Sequence, residues 1–316
     1  MTILSSIVPL RVTGLAKRYP NGAGVRDVGL TVAERSITGF IGVNGAGKST
    51  TLRCILGLTA PDAGEISLFG AAASSAGRRR LGFLPEERGM FPRERARDVI
   101  AFHGRLKGLV RRDAFRSADR LLERIGLGER RQARIEDLSK GNAQRVQILC
   151  ALAHAPDLLI LDEPLTGLDP VGQSETLSLF SEFRAGGGAI LFSTHAMAAA
   201  EAVCDRVVML ADGRTVFEGP LDEASDLAPH GAVVVTADLA GLRAAADALG
   251  AEIAPMSLSQ GGSGRWRVLL PEHVPHPALI RALAEQQVSI QAFEPIKADL
   301  AGAFWQIASP AILRAA

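Results

Sequence analysis

Gly42-Val43-Asn44-Gly45-Ala46-Gly47-Lys48-Ser49 decides how this chain is read. The spacing fits a phosphate-binding loop, Gly-x-x-x-x-Gly-Lys-Ser, provided that a strand precedes it and a helix follows. Both flanks agree: Ser36 to Val43 reads as a buried strand and Ser49 to Leu58 as an apolar-faced helix. Glycines let backbone N–H groups turn inward onto phosphate oxygens, and the helix start adds a favourable dipole. Asn44, Gly45, Ala46 and Gly47 are then expected to cradle phosphates, with Lys48 reaching the outermost ones. Ser49 is expected to offer its hydroxyl to Mg²⁺, and Thr50 to add a phosphate hydrogen bond. A glycine-rich turn without a ligand is the competing reading, and the correct flanks argue against it.

Working outward, the next informative stretch is Leu158-Leu159-Ile160-Leu161-Asp162-Glu163-Pro164, four apolar residues that end in two carboxylates. Alone it is a core strand with a solvated acidic end. Beside a phosphate loop, Asp162 is positioned to hold the shell of a Mg²⁺ ion and Glu163 to polarise an attacking water. Ala189 to Phe192 is a second strongly apolar strand, and the helix-like joins give the βαβ rhythm of a parallel sheet. Leu10 to Leu15 and Val25 to Val32 alternate as half-buried strands about an Asn21-Gly22 turn, so an antiparallel part opens the fold. From Arg93 to Arg134 the period becomes helical, with Phe115, Ala118, Leu121, Leu122 and Ile125 on one face. The expected architecture is α/β: residues 1–220 form a nucleotide-binding domain whose mixed sheet is interrupted by a helical subdomain at about 93–150.

Pro229 and Gly231 mark residues 221–231 as a linker. Residues 232–316 have their own βαββαβ rhythm, which predicts a small α+β ferredoxin-like accessory domain with Gln260 to Gly264 as a hairpin tip. His273 and His276 lack companion ligands and read as surface or packing residues.

The chain has 316 residues, 47% of them hydrophobic and 22% charged, enough for one large core and a second smaller one. Its longest apolar runs fall far short of the ~20 residues that span a bilayer. Met1 to Leu10 lacks the basic and apolar regions of a secretory signal, so a cytoplasmic location is expected. Cys54, Cys150 and Cys204 sit in apolar contexts and read as packed, reduced thiols. The net charge of +1 conceals a basic segment, Arg78 to Ile135, with 17 Lys/Arg against 8 Asp/Glu. Arg78 to Arg80, Arg93, Arg95, Arg97, Arg111 and Arg112 are expected either to face an anionic membrane leaflet or to form a solvated helical face.

Leu138-Ser139-Lys140-Gly141-Asn142-Ala143-Gln144-Arg145 precedes an apolar helix from Val146 to Ala153, and by itself it is a helix start with Ser139 as N-cap. Here the sequence resembles the ABC ATPase family, whose signature reads Leu-Ser-Gly-Gly-Gln; Lys140 and Asn142 depart from it, while Ser139 and Gly141 are retained. The resemblance implies that Ser139, Gly141 and Asn142 meet the ATP held by the phosphate loop of a second copy, with two ATP sandwiched head to tail. It further implies that Gly167-Leu168-Asp169 is a dimer-contact loop and that His195, after Leu191-Phe192-Ser193-Thr194, contacts the γ-phosphate. Tyr19, the single tyrosine, stands where the family stacks a ring on adenine, with strand-edge packing as the alternative. Glu86 stands where the family has a glutamine that senses Mg²⁺ and the membrane partner.

The resemblance runs from Leu10 to about Gly219. Within the family, the signature variant, the segment from Pro85 to Pro92 and the accessory domain look like the ATPase subunits of bacterial exporters for sodium, drugs or polyketides. The implied protein hydrolyses ATP with Mg²⁺, dimerises with a second subunit, most simply another copy, and drives a separate transmembrane permease from the inner face of the cell membrane. No nucleic acid is expected as a partner. The alternative, a soluble ABC ATPase working on nucleic acid or ribosomes, usually carries paired cassettes, long coiled coils or zinc-binding cysteine pairs, and none is visible here. A further alternative makes the C-terminal domain a ligand sensor that gates the ATPase.

Overall fold

Period-two burial builds the opening hairpin. Leu10, Val12 and Leu15 of β1 (Leu10–Arg18) face the core, as do Val28, Leu30 and Val32 of β2 (Gly24–Val32), and the two strands pair antiparallel. The side chain of Asn21 accepts from the Ala23 N–H at 3.1 Å and shapes the turn between them. The computed structural model to which these elements belong describes residues 7–87, 89–258, 264–271, 273–296 and 299–315. Met1 to Ser6, Arg88, and Gln260 to Ser263 of the expected hairpin tip lie outside them.

All five residues of β3 (Ile37–Ile41) are buried, and it runs into the glycine loop and α1 (Lys48–Leu56). β4 (Ala63–Leu68) and the short β5 (Ala71–Ala72) extend the antiparallel part, and α2 (Ser75–Arg79) leads to β6 (Leu81–Leu84). Three helices follow, α3 (Ala96–Leu106), α4 (Arg111–Arg124) and α5 (Lys140–Leu152). The chain then alternates through β7 (Leu158–Asp162), α6 (Pro170–Ala185), β8 (Ala189–Thr194), α7 (Met197–Glu201), β9 (Arg206–Ala211) and β10 (Arg214–Pro220). Among the described residues ten strands form one sheet in the order β5-β4-β1-β2-β10-β9-β3-β8-β7-β6. From β9 to β6 neighbouring strands are parallel, and β7 and β8 are buried along their whole length, as strands covered on both faces must be.

The helical segment is tied internally. Arg97 of α3 makes a two-pronged ion pair with Asp119 of α4, at 2.6 and 2.7 Å, and lies over the Phe115 ring. Arg95 donates to Gln132 at 2.8 Å, Arg80 to Asp157 at 2.7 Å, and the Arg78 Nε to the Ile55 carbonyl at 3.2 Å. Half of those arginines thus have partners within the chain, while Arg80 and Arg95 among them stay exposed, as do Arg79, Arg93, Arg111 and Arg112. Residues 125–139 also depart from a continuous helix, because Gly126 adopts a left-handed backbone and two 3-10 turns carry the chain to α5.

The chain divides into two compact units, the second running from Asp222 to Ser309. The segment expected to be a linker holds the short helix α8 (Leu221–Asp226) before β11 (Gly231–Thr236) begins. Then come α9 (Leu239–Asp247), β12 (Glu252–Leu258), β13 (Gly264–Leu269), α10 (His276–Glu285), β14 (Ile290–Pro295) and α11 (Leu300–Ala315). The strands pair antiparallel in the order β12-β13-β11-β14, which is the ferredoxin-like arrangement of a βαββαβ chain. Val234 and Val268 on the sheet meet Leu242 of α9 and Leu279 and Leu283 of α10 in a separate core. The terminal helix α11 is an element that the βαββαβ rhythm does not announce.

Candidate active site

A cleft of about 350 Å³ opens around the glycine loop, where β3 and β7 end at their carboxyl edge. Val43, Asn44, Gly45, Gly47, Lys48, Ser49 and Thr50 line it together with Glu86, Asp162 and Glu163, and Ala23 and Gly24 complete the lining. Glu86, carried by the loop after β6, thus shares the cleft with the residues expected to hold phosphates and metal.

The loop conformation depends on Gly47. Its φ of 108° is left-handed, and a Cβ at this position would sit 2.3 Å from Cγ1 of Val25. Gly47 is the N-cap of α1 and offers no side chain to the helix, so the first N–H groups of α1 remain available to an anion. Lys48 is 7% exposed, and its Nζ donates to the Gly42 carbonyl at 2.6 Å. Burial pushes its pKa down, against the opposing pull of Glu163, Asp162 and Glu86.

Asp162 ends β7 directly opposite Ser193 of β8, and the buried Ser193 hydroxyl donates to the Asp162 carboxylate. The next residue, Glu163, takes a left-handed backbone with φ 47°, fixed by its N–H donating to the Ser193 carbonyl at 3.1 Å. Such a conformation in a non-glycine residue stores strain that the surroundings must hold. The Glu163 carboxylate is gripped from both sides: Thr194 Oγ1 donates to Oε2 at 3.5 Å, and His195 Nδ1 lies 2.8 Å from Oε1. With its Nδ1–H given to a carboxylate, the half-exposed His195 keeps Nε2 for another partner.

The residues expected at this site do not all converge. Tyr19 sits in the β1–β2 turn, half-buried, and is not among those lining the cleft. Ser139 caps α5 as anticipated, its Oγ accepting from the Asn142 N–H at 3.2 Å, and Ser139, Gly141 and Asn142 do not line the cleft either. Two buried glutamines of α5 that were not anticipated touch the loops beside the carboxylates: Gln144 donates to the Pro164 carbonyl at 3.4 Å and Gln147 to the Glu87 carbonyl at 3.2 Å. Ser193 was also missed. Its signal was a hydroxyl at the end of an otherwise apolar buried run, Ala189 to Phe192.

The arrangement can bind a polyphosphate on the loop and place a carboxylate against its outer end. A family model described as ABC transporter matches residues 25–166. The uncharacterised ABC transporter ATP-binding protein YhaQ of Bacillus subtilis is 37% identical over 214 residues, 68% of this chain and 72% of the relative. The chain belongs to the ABC transporter ATP-binding family. Nod factor export ATP-binding protein I of Burkholderia lata is 36% identical, covering 67% of this chain and 71% of that one. A solved structure described as the ATP binding subunit of an ABC transporter superposes with a TM-score of 0.63 at 34% identity, covering 69% of this chain and 92% of the other. As a member of this family the chain is the ATP-binding, ATP-hydrolysing subunit of an ABC transporter, with export systems among its relatives. The cleft around Lys48 and Glu163 is thereby the candidate place for ATP in this ABC ATPase.

Proposed function

We propose that this ABC ATPase drives export by closing two copies around two ATP molecules, with Glu163 of each copy polarising the water that attacks the γ-phosphate. The observation that carries the reading is the convergence of Lys48, Asp162 and Glu163 on one cleft, with Glu163 held by Thr194 and His195. Lys48 and the loop N–H groups bind the β- and γ-phosphates, and His195 offers Nε2 to the γ-phosphate. Ser139, Gly141 and Asn142 of one copy face the ATP of the other, and this accounts for their distance from the cleft of their own chain. Tyr19 stacks on the adenine ring. The rate gain comes from positioning and charge stabilisation.

The donor set fits Mg²⁺. Ser49, Asp162 and Glu86 offer hard oxygen ligands along one cleft, and Mg²⁺ binds through one or two carboxylates together with phosphate oxygens and water. Among the described residues no three His, Cys, Asp or Glu side chains converge as a metal cage, in keeping with an ion that arrives with its nucleotide. Ser49, Asp162 and Glu86 would hold the ion, which would supply charge neutralisation at the terminal phosphate.

The permease is read as a separate chain, and no helix among the described residues is long and apolar enough to cross a membrane. Its docking place is a groove of about 360 Å³ on the helical subdomain, where the exposed rings of Phe91 and Phe102 meet edge to face and Phe115 forms a wall. Gln147 of α5 links the Glu87 loop to the signature helix, a route by which nucleotide closure reaches that groove. The ATPase is thus held at the inner face of the cell membrane, and residues 232–316 act as an accessory domain joined through residues 221–231.

Tagged Glu163→Gln protein, trapped with ATP and Mg²⁺ and recovered from detergent-solubilised membranes of its own cells, is expected to carry a stoichiometric polytopic membrane protein. Recovery of ribosomes, nucleic acid or the soluble dimer alone would overturn the export reading.

A further inference from the structure

The second unit carries a cavity that neither the nucleotide chemistry nor the family match explains. It measures about 650 Å³, within the range of small-molecule sites, and it lies wholly between residues 226 and 307. Leu227, Leu269, Leu270, Ile296 and Ile307 give it an apolar side-chain component beside a polar share of about equal extent. The polar side chains in the lining are few: Asp226 at the end of α8, His230, His276 at the start of α10, and Gln306 of α11.

The two imidazoles are built in. Their ring centroids are 4.4 Å apart in an edge-to-face contact. The His276 Nε2 lies 2.6 Å from the Gly231 carbonyl, and the His230 Nε2 lies 2.8 Å from the Val274 carbonyl. A carbonyl oxygen only accepts, so each Nε2 carries a proton and Nδ1 is the ring nitrogen left to accept. Asp226 is the sole formally charged side chain among the described residues lining the cavity, and it adds a carboxylate. Apolar side chains beside acceptors and one negative charge suit a ligand with an apolar body and a cationic donor head. No cluster of three metal-ligating side chains is found among the described residues, which argues against a metal ion as occupant.

We propose that the accessory unit binds an amphipathic amine in this cavity, its apolar body against Leu269, Leu270 and Ile307 and its ammonium group toward Asp226 and the His230–His276 pair. The site is independent of ATP chemistry, so it stands or falls separately from the proposed export cycle.

Equilibrium dialysis of the full chain without nucleotide at pH 8, using radiolabelled octylamine, octanoate and octanol, tests the proposal. Octylamine is expected to bind saturably at one site per chain, with octanoate and octanol weaker. Asp226→Asn, an exposed change that preserves shape, is expected to weaken octylamine binding about five-fold or more, the worth of a partly screened charge pair. The chain's two tryptophans, Trp266 and Trp305, both belong to this unit, so a saturable change in their emission localises the binding. Octanoate binding as tightly as octylamine, octylamine binding unaltered in Asp226→Asn, or no saturation below about 10 mM would each overturn it.

Discussion

Replacing Ser193 with alanine tests whether Asp162, the carboxylate proposed to face the metal, is held by the neighbouring strand. The Ser193 hydroxyl is fully buried and donates to Asp162, itself 7% exposed, so little water is at hand to replace it. A hydrogen bond to a charged group contributes about 1.5–3 kcal/mol. Taking about 2 kcal/mol for Ser193→Ala, a unit of this size should melt about 4–8 °C lower, followed by circular dichroism without nucleotide. The same loss, expressed as a loosened Asp162, corresponds to about a thirty-fold higher Mg²⁺ requirement for half-maximal ATPase activity. The backbone of Glu163 keeps its bond to the residue-193 carbonyl, so the general-base geometry should survive and saturating Mg²⁺ should restore much of the rate. A lower melting temperature with unchanged Mg²⁺ dependence would refute the anchoring role and leave Ser193 as packing alone.

Gly47→Ala should abolish ATP binding, because its Cβ would meet Val25 in a left-handed backbone; fluorescent-nucleotide anisotropy would read this, and binding at wild-type strength would mean that the loop does not need this turn. Lys48→Ala should lose both ATP binding and turnover, and retention of either would remove Lys48 from the phosphate site. Burial, reinforced by the nearby Lys107 ammonium, pushes the His154 imidazole down to about 4 from its ordinary 6.5. Between these values the unfolded chain binds more protons, so stability falls as pH drops from 6.5 toward 4; His154→Gln should lose less over that range in melts at stepped pH, and parallel curves would show that His154 does not contribute.

What could be read from the sequence was local. The phosphate loop, the apolar run into Asp162 and Glu163, and the Ser139 cap are each contiguous, and their chemistry follows from spacing within a few residues. The βαββαβ rhythm of the second unit was equally readable, since alternating periods announce themselves one element at a time. Ser193 was not, because its bond to Asp162 depends on the register between β7 and β8, a relation between segments 31 residues apart. The partners of the basic segment were hidden for a similar reason: Arg97 meets Asp119 only when α3 packs on α4. The six-residue α8 is too short for a periodic signal, though its acidic first turn, Asp222 and Glu223, suits a helix start. The His230–His276 pair escaped notice because each ring acquires its companion only when β11 and α10 come together.

The left-handed backbone at Glu163 sets folding against the chemistry proposed for this residue. Glycine or asparagine would sit there with less strain, so a library of variants at this one position, scored for melting temperature, should rank both above the resident glutamate. Scored for ATP turnover the order should reverse. A lineage relieved of its transport duty would therefore drift away from glutamate at this position without losing its shape, and the loss of that single side chain would be the earliest visible mark of a retired motor.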